Sequence, residues 1–274
     1  IHGGVSRNVV EDIANIELRP TFVGIVDDSA LGEDVVKKLK NHKVNTDYVM
    51  TMPGGMGTWL AVFDHNGDLA GSISQRPNLM PILGLLEEKG DEIFANADSV
   101  IVEVDMDKDI IKKVVALAKQ YNKKLYGVVS NMSIAVERRD FLKHFDCFIC
   151  NQLEAGMLFM EDYADKSPEE LRDILSKRVI LGKIPAMIVT MGGNGAVYAD
   201  VNGEKGICPP QRVRVKDTTG AGDAFCAGVA SGLTYGKTLS EAVEIGSRLA
   251  ASVITSSENV CPRFLPEEFG ITLD

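Results

Sequence analysis

The most informative segment of the chain is Asp217-Thr-Thr-Gly220-Ala221-Gly222-Asp223-Ala-Phe225, which is followed by an Ala- and Gly-rich stretch. Its glycines permit a tight turn, for which we expect left-handed backbone, including at Gly222. We also expect the N–H groups of Gly220, Ala221 and Gly222 to converge where a helix begins. These groups and the helix dipole would together form a site that favours an anion.

Asp223 falls in the first turn of this predicted helix, next to the predicted anion site. A carboxylate in that place is suited to accept a proton from a hydroxyl group that attacks phosphorus. For an isolated Gly-x-Gly-Asp, however, a helix-capping carboxylate is the better explanation. The choice between the two interpretations therefore depends on the rest of the chain.

Outward from this segment, strand-like apolar runs alternate with helical patterns. The predicted strands are 21–26, 99–104, 125–129, 146–150, 187–191 and 196–198, and the predicted helices are 107–121, 167–181 and 241–254. Continuous apolar strands that alternate with helices are typical of a parallel sheet covered on both faces. Residues 48–75 differ, because β-forming residues flank a His65-Asn66-Gly67 turn, and they predict a hairpin outside the main sheet that acts as a lid or a dimer contact.

Composition excludes several classes of partner. The chain has 29 Lys and Arg against 39 Asp and Glu in 274 residues, a net charge of −10, which argues against binding to nucleic acid or to an anionic membrane. No apolar run approaches the roughly 18 residues of a membrane-spanning helix. The five scattered cysteines are typical of reduced thiols in a cytoplasmic protein, and we interpret Cys147-x-x-Cys150 as buried core.

The segment at 217–225 is similar to the signature of the ribokinase (PfkB) family of carbohydrate and nucleoside kinases. Three further motifs resemble that family and occur in its order. They are Gly3-Gly4-Val-Ser-Arg-Asn8, Asn151-Gln-Leu-Glu154 and Thr190-Met-Gly192-Gly-Asn-Gly195. The resemblance covers nearly the whole chain and implies one kinase domain over residues 1–274, a three-layer α/β/α fold with a mostly parallel sheet, and a small β lid.

The resemblance also implies roles for these residues. Gly220, Ala221 and Gly222 would stabilise the transferring phosphoryl group, and Asp223 would be the general base. Gly3, Gly4 and Asn8 would bind the sugar, and we expect the Asn8 amide to donate to one hydroxyl and accept from its neighbour in a cis-diol. The remaining assignments are ATP contacts at Asn151, Glu154, Thr190, Gly192 and Gly195, Mg²⁺ held through water by Asn151 and Glu154, and a monovalent cation such as K⁺ at Asp217 and Thr219.

Two departures from the family pattern stand out. The family's first strand and sugar-binding Asp precede the Gly-Gly motif, so we expect residues upstream of Ile1 that this sequence does not include. A late Gly-Ala pair near the family's cation site is replaced by Asn259-Val260, which weakens the prediction of K⁺ activation.

Within the family, residues 3–13 and 132–135 look most like the pseudouridine kinase subgroup. We therefore expect ATP-dependent phosphorylation of the 5′-hydroxyl of pseudouridine by a cytoplasmic homodimer that pairs through its lid. A ribokinase- or fructokinase-like sugar kinase is the first alternative. A non-catalytic sugar-sensing protein on the same fold is the second.

Overall fold

Strands and helices alternate along most of the chain in the computed structural model, which describes residues 2–63 and 69–273. The strands are β1 (Thr21–Val26), β2 (Asn45–Thr51), β3 (Thr58–Phe63), β4 (Leu69–Gln75), β5 (Ser99–Glu103), β6 (Lys124–Val128), β7 (Cys147–Asn151), β8 (Ala186–Thr190), β9 (Ala196–Asp200) and β10 (Lys205–Cys208). The α-helices are α1 (Val5–Asn15), α2 (Ala30–Asn41), α3 (Pro81–Ala95), α4 (Lys108–Gln120), α5 (Met132–Ala135), α6 (Gln152–Phe159), α7 (Pro168–Gly182), α8 (Ala221–Thr234) and α9 (Leu239–Ile254). Short 3₁₀ helices cover Val136–His144, Gly192–Asn194 and Pro266–Phe269.

The central sheet has six strands in the order β10-β9-β8-β7-β6-β5. Strands β5 to β8 run parallel, whereas β9 is antiparallel to both β8 and β10. The mostly parallel sheet predicted from the sequence is therefore confirmed. Because the carboxyl ends of parallel strands share one edge, the polar residues that follow β5 to β8 lie along the same side of the sheet.

Alternate side chains of the central strands pack into two cores, one on each face of the sheet. Phe148 and Cys150 of β7 pack with the apolar residues of α3, α4 and α7. Cys147 and Ile149 of the same strand pack on the opposite face, against α8 and α9. This arrangement forms the expected three layers, and it explains Cys147-x-x-Cys150 as core, since the two buried thiols lie on different faces.

Two regions depart from the predicted topology. The predicted strand 21–26 forms as β1 but pairs in parallel with β2 in a separate two-stranded sheet rather than in the central sheet. Within the predicted hairpin 48–75, residues 48–51 therefore belong to β2, and the antiparallel pair consists of β3 and β4. The predicted turn at His65-Asn66-Gly67 lies outside the described residues.

A cavity of about 620 Å³ separates β1 from β5 and is lined mainly by apolar side chains of α1, α3 and both strands. Asp223 is not among the residues that line it. The strand expected upstream of Ile1 stays a prediction. In the described part of the chain, no helix has the length and apolar character needed to cross a membrane.

Candidate active site

The predicted functional segments meet at the carboxyl edge of the central sheet. Asn151 ends β7 and Thr190 ends β8, and these two residues are direct partners in the parallel register. Glu103 ends β5 two strands away. The segments Asn151–Glu154 and 190–195, which are far apart in the chain, are thus neighbours in space.

Helix α8 begins at the glycine-rich turn, as the sequence predicts. Gly220 is its N-cap residue with φ 83°, and Asp223 lies in its first turn. The Asp223 carboxylate does not cap its own helix. Instead, its Oδ2 accepts a hydrogen bond of 2.6 Å from Nδ2 of Asn8 on α1. The capping interpretation of Asp223 is therefore wrong.

Burial and nearby charges set the ionisation of Asp223. Desolvation raises its pKa to about 6, against the lowering effect of the Asn8 hydrogen bond and of the Arg7 charge. The charges of Glu103 and Glu154 also raise the pKa, and the value of about 6 is the net result of all these effects. A carboxyl group with a pKa near the operating pH can exist as the base and still bind a proton readily, which suits general base catalysis.

The glycines of the turn serve different purposes. A Cβ on Gly220 would lie 2.0 Å from the carbonyl oxygen of Asn259, whereas a Cβ on Gly222 would meet no atom within 4 Å. The left-handed conformation expected at Gly222 is wrong, since the positive φ of this turn belongs to Gly220. Open space in front of Gly222, next to a helix N-terminus, is what the approach of an anion requires.

One of the three N–H groups predicted to face the anion is already used. Ala221 N–H donates to the carbonyl of Thr218 over 3.2 Å, which leaves it a weaker candidate than the sequence indicated. Among the described residues, the N–H groups of Gly220 and Gly222 donate to no protein acceptor. These two groups, and the positive end of the α8 dipole, are therefore the donors available for a phosphate.

The N-terminal motif lies on the other side of Asp223. Gly4, with φ 104°, is the N-cap residue of α1, and no atom lies within 4 Å of a Cβ placed on the exposed Gly3. Asn8 is buried, and its Oδ1 accepts hydrogen bonds from both Arg7 and Asn259. Since both lone pairs of this oxygen are used, only an amide hydrogen remains for a ligand. The expectation that Asn8 both donates to and accepts from a diol does not hold in this structure.

Asn151 and Glu154 form a capping box at the start of α6. Asn151 Oδ1 accepts from the Glu154 N–H at 2.8 Å, and Glu154 Oε2 accepts from the Asn151 N–H at 2.8 Å. Desolvation and the charge of Asp105 raise the pKa of Glu154. A purely local capping role therefore explains part of this motif, which the sequence analysis had assigned to ATP and metal alone.

The donor set suits Mg²⁺ carried by a nucleotide better than Mg²⁺ held by the protein alone. Among residues 2–63 and 69–273, no cluster of three or more His, Cys, Asp or Glu side chains could hold a metal ion. Glu154 uses Oε2 for its capping hydrogen bond, so Oε1 is not part of that bond. The Glu154 side chain is partly buried near Asp223. One carboxylate at such a place fits an ion that retains several waters and the phosphates of its substrate.

The loop after β8 also contains glycines with positive φ. Gly192 has φ 54° and open space around it, whereas Gly195 has φ 86° and would place a Cβ 2.1 Å from the carbonyl oxygen of Cys208. The turn is closed by a hydrogen bond of 2.8 Å from Met191 N–H to the Gly195 carbonyl. Gly195 is thus required by the fold, and Gly192 is free to face a ligand beside Thr190.

Asp217 and Thr219 form a local turn before α8. Asp217 Oδ1 accepts from the Thr219 N–H at 2.8 Å, and this bond lowers the pKa of Asp217. The carboxylate is exposed. The role of the pair in holding a monovalent cation stays a prediction.

Several residues near Asp223 were missed by the sequence analysis. Glu103 is half-buried at the end of β5 and accepts from the N–H and hydroxyl groups of Ser6 at 3.0 and 2.7 Å. Asp105 is also buried, and it accepts from Arg76 and from the Ser130 N–H. The sequence does carry a signal for them, because Glu103 and Asp105 alternate with apolar residues at the end of the predicted strand 99–104. Ligands of parallel sheets bind at that end of the strands.

Comparisons with known proteins show the family and the fold. The pfkB family of carbohydrate kinases matches residues 1–261. A guanosine-inosine kinase from Exiguobacterium acetylicum is 35% identical over 94% of this chain and 85% of its own length. A pseudouridine kinase from Escherichia coli is 23% identical over 92% of this chain and 80% of its own length. The structure of Arabidopsis thaliana ribokinase complexed with ribose and ATP has the same fold, with a TM-score of 0.81 at 19% identity, over 97% of this chain and 86% of that one.

Proposed function

The chain belongs to the pfkB family of carbohydrate kinases, and we propose that it transfers the γ-phosphoryl group of ATP to the primary hydroxyl of a nucleoside. The observation that carries this proposal is the place of Asp223. Its half-buried carboxylate, held by Asn8, lies in the first turn of α8 beside the open N–H group of Gly222. A base and an anion site thus adjoin at the carboxyl edge of the sheet.

In the proposed reaction, Asp223 accepts the proton of the substrate hydroxyl. The hydroxyl oxygen forms a bond to the γ-phosphorus as the bond from that phosphorus to the β,γ-bridging oxygen breaks, and ADP leaves. The N–H groups of Gly220 and Gly222 stabilise the negative charge on the transferring group. Mg²⁺ bound with ATP would neutralise polyphosphate charge, and Glu154 and Asn151 would hold its waters.

The substrate proposal rests on similarity and on the N-terminal motif. The guanosine-inosine kinase is 35% identical to this chain, which favours a purine nucleoside, so we place guanosine and inosine first. Pseudouridine is the second candidate, because residues 3–13 resemble that subgroup. Both share a ribose with a primary 5′-hydroxyl, and the site around Gly3, Gly4 and Asn8 would bind that common part.

A panel assay tests these assignments. ADP release is measured with guanosine, inosine, pseudouridine, uridine, ribose and fructose at equal concentrations. A purine nucleoside should give the highest kcat/KM. A tenfold advantage for pseudouridine would replace the purine assignment, and the same advantage for ribose or fructose would support the sugar-kinase alternative. No ADP release above background with any of them would support a non-catalytic binding protein.

Potassium is the remaining cation hypothesis. Asp217 and Thr219 occupy the loop that the family resemblance associates with a monovalent cation, but Asn259 replaces the glycine of its late Gly-Ala pair. We propose at most weak K⁺ activation. The test compares turnover in KCl and NaCl at the same ionic strength, and a rise of tenfold or more in KCl would contradict this proposal.

We also propose that the β3–β4 pair covers the site and forms the contact of a homodimer. Arg76, just after β4, pairs with the buried Asp105 at the edge of the sheet, so the base of the hairpin adjoins the site. Leu60 and Ile73 are cross-strand neighbours and are 61% and 72% exposed, an apolar face that favours a partner. Sedimentation should show a dimer that Ile73→Glu dissociates, whereas Leu181→Glu on α7, also at an exposed apolar residue, should leave it intact. A monomeric wild type would contradict the proposal.

A further inference from the structure

The Asn8 side chain is held by two donors on the side opposite to Asp223. Its Oδ1 accepts from Nη2 of Arg7 and, over 3.2 Å, from Nδ2 of Asn259, while its own Nδ2 donates to Asp223. We infer that Arg7 and Asn259 are positioning residues for the phosphoryl transfer proposed above, because together they fix the Asn8 amide in the orientation that donates to Asp223. The expected effects on kinetics rest on the proposed function, whereas the hydrogen bonds themselves do not.

The chemistry of arginine makes this orientation unambiguous. A guanidinium group has N–H donors and no acceptor, so the Asn8 atom that faces Arg7 has to be the amide oxygen. The amide nitrogen is then necessarily the atom that faces the Asp223 carboxylate. The reversed amide would set two nitrogen donors against each other at Arg7 and two oxygen acceptors against each other at Asp223.

Arg7 is itself fixed by buried partners. It is 6% exposed, its Nη1 donates to the fully buried Glu11 one helical turn along α1, and its Nη2 also donates to the carbonyl of His2 at 2.8 Å. Oε1 of Glu11 also lies 3.3 Å from Nζ of Lys38 and 3.4 Å from Nε2 of His42. The guanidinium group therefore cannot move away from Asn8 without leaving a buried carboxylate poorly paired.

Asn259 connects this arrangement to the phosphate side of the site. Its Nδ2 also donates to the carbonyl of His2, at 3.0 Å, and its own carbonyl lies where a Cβ of Gly220 would be. Asn259 thus contacts both Asn8, which bonds to Asp223, and the turn that begins α8. It stands where the family resemblance has glycine, which has no side-chain donor and could not make this contact to Asn8.

Loss of either donor should change the ionisation of Asp223. The hydrogen bond from Asn8 and the charge of Arg7 both lower its pKa, against burial, which raises the pKa to about 6. Because the amide could then rotate, its donation to the carboxylate would weaken, and the proton would be held to a higher pH. A residue that only supports the fold would not produce this effect.

The experiment is the pH dependence of kcat with the best nucleoside of the panel, in the full chain. Wild type should lose activity as the pH falls through about 6. Asn259→Ala and Arg7→Met should lower kcat roughly tenfold and move this acid limb up by about one pH unit, with little change in the KM for ATP. Arg7→Lys keeps a charged donor and should retain most of the wild-type profile.

Asn15→Ala is the matched control. Asn15 is a buried asparagine on the same helix, but its side chain bonds to Cys261 and His42 and not to Asn8 or Asp223. Its loss should lower the melting temperature without moving the acid limb. Equal profiles for Arg7→Lys and Arg7→Met, or an unmoved limb in both Asn259→Ala and Arg7→Met, would overturn the positioning role.

A second readout does not need turnover. The ¹³C resonance of the Asp223 carboxyl group, assigned by its absence from Asp223→Asn, is titrated in each variant. An upward move of its midpoint in Asn259→Ala and Arg7→Met, but not in Asn15→Ala, supports the inference even if no nucleoside is phosphorylated. An active wild type with unchanged midpoints in both variants would contradict the inference and leave the proposed function standing.

Discussion

Asn8 and Asp223 are 215 residues apart in sequence, yet Nδ2 of Asn8 donates to Oδ2 of Asp223 across 2.6 Å. This bond joins the start of α1 to the start of α8, which are the two helix ends that the N-terminal motif and the 217–225 segment create. It leaves Oδ1 of Asp223 without a bond to Asn8. The carboxylate that we propose as the base is therefore held at one oxygen, and the other can face a substrate hydroxyl.

Asp223→Asn should lower kcat by roughly 10²–10⁴-fold, because an amide cannot accept the proton at neutral pH. The amide oxygen can still accept from Asn8, so we expect the fold and the affinity for ATP to be kept. Steady-state kinetics and ATP titration by calorimetry measure the two effects. Turnover near the wild-type level would show that Asp223 is not the base.

The same substitution should also raise the free energy of unfolding at pH values above about 6. The pKa of Asp223 in the folded chain, about 6, exceeds its ordinary value of 3.8, so the ionised form is disfavoured by folding. The contribution of Asp223 to wild-type stability should therefore fall by roughly 3 kcal/mol as the pH rises from about 4 to above 6, since one pKa unit corresponds to about 1.4 kcal/mol. Chemical denaturation of wild type and Asp223→Asn should give a difference that grows over this range, whereas a constant difference would contradict the buried charge.

Gly220→Ala and Gly222→Ala form a matched pair at the start of α8. At Gly220 the new Cβ would meet the Asn259 carbonyl and the residue has φ 83°, so we expect a loss of about 2 kcal/mol or more of stability. At Gly222 the Cβ meets open space, so the fold should survive while kcat falls roughly 100-fold, because the methyl group occupies the anion site. Thermal melts and kinetics separate the two effects, and full activity of Gly222→Ala would remove this turn from the site.

Glu154→Gln should raise the Mg²⁺ concentration needed for half-maximal activity roughly tenfold, with little change in the KM for the nucleoside. Glutamine can still serve in the capping box with Asn151, so α6 should form normally. Glu170→Gln, in the capping box of Ser167 on α7, is the matched control and should leave the Mg²⁺ titration unchanged. Identical titrations for both variants would mean that Glu154 only caps its helix.

Sequence reasoning succeeded where signals are local. Ser167 precedes Pro168 and an acidic turn, and it is the N-cap residue of α7 as that pattern predicts. Strands β5 to β9 of the central sheet also formed within one or two residues of their predicted bounds, whereas β10 was not predicted. Periodicity and caps are properties of neighbouring residues, so a single sequence is enough to identify them.

The parts that escaped prediction depend on contacts between distant residues. Strand β1 was identified, but its pairing with β2 in a separate sheet was not, because a strand's partner is not encoded in its own pattern. Asn259 reaches Asn8 across 251 residues, and no local signal marks that contact. Asn151–Glu154 shows the converse, since a motif assigned to function by resemblance also has a local capping role.

The most direct test of the proposed reaction is the proton-coupled ³¹P NMR spectrum of the product formed from ATP and the best nucleoside of the panel. Phosphate attached to a primary hydroxyl is split by the two hydrogens of one CH₂ group into a triplet. We expect this triplet to grow with wild type in step with ADP and to be absent at equal times with Asp223→Asn. A doublet from a secondary hydroxyl, inorganic phosphate as the sole product, or equal triplets from both proteins would contradict transfer to a primary hydroxyl with Asp223 as the base.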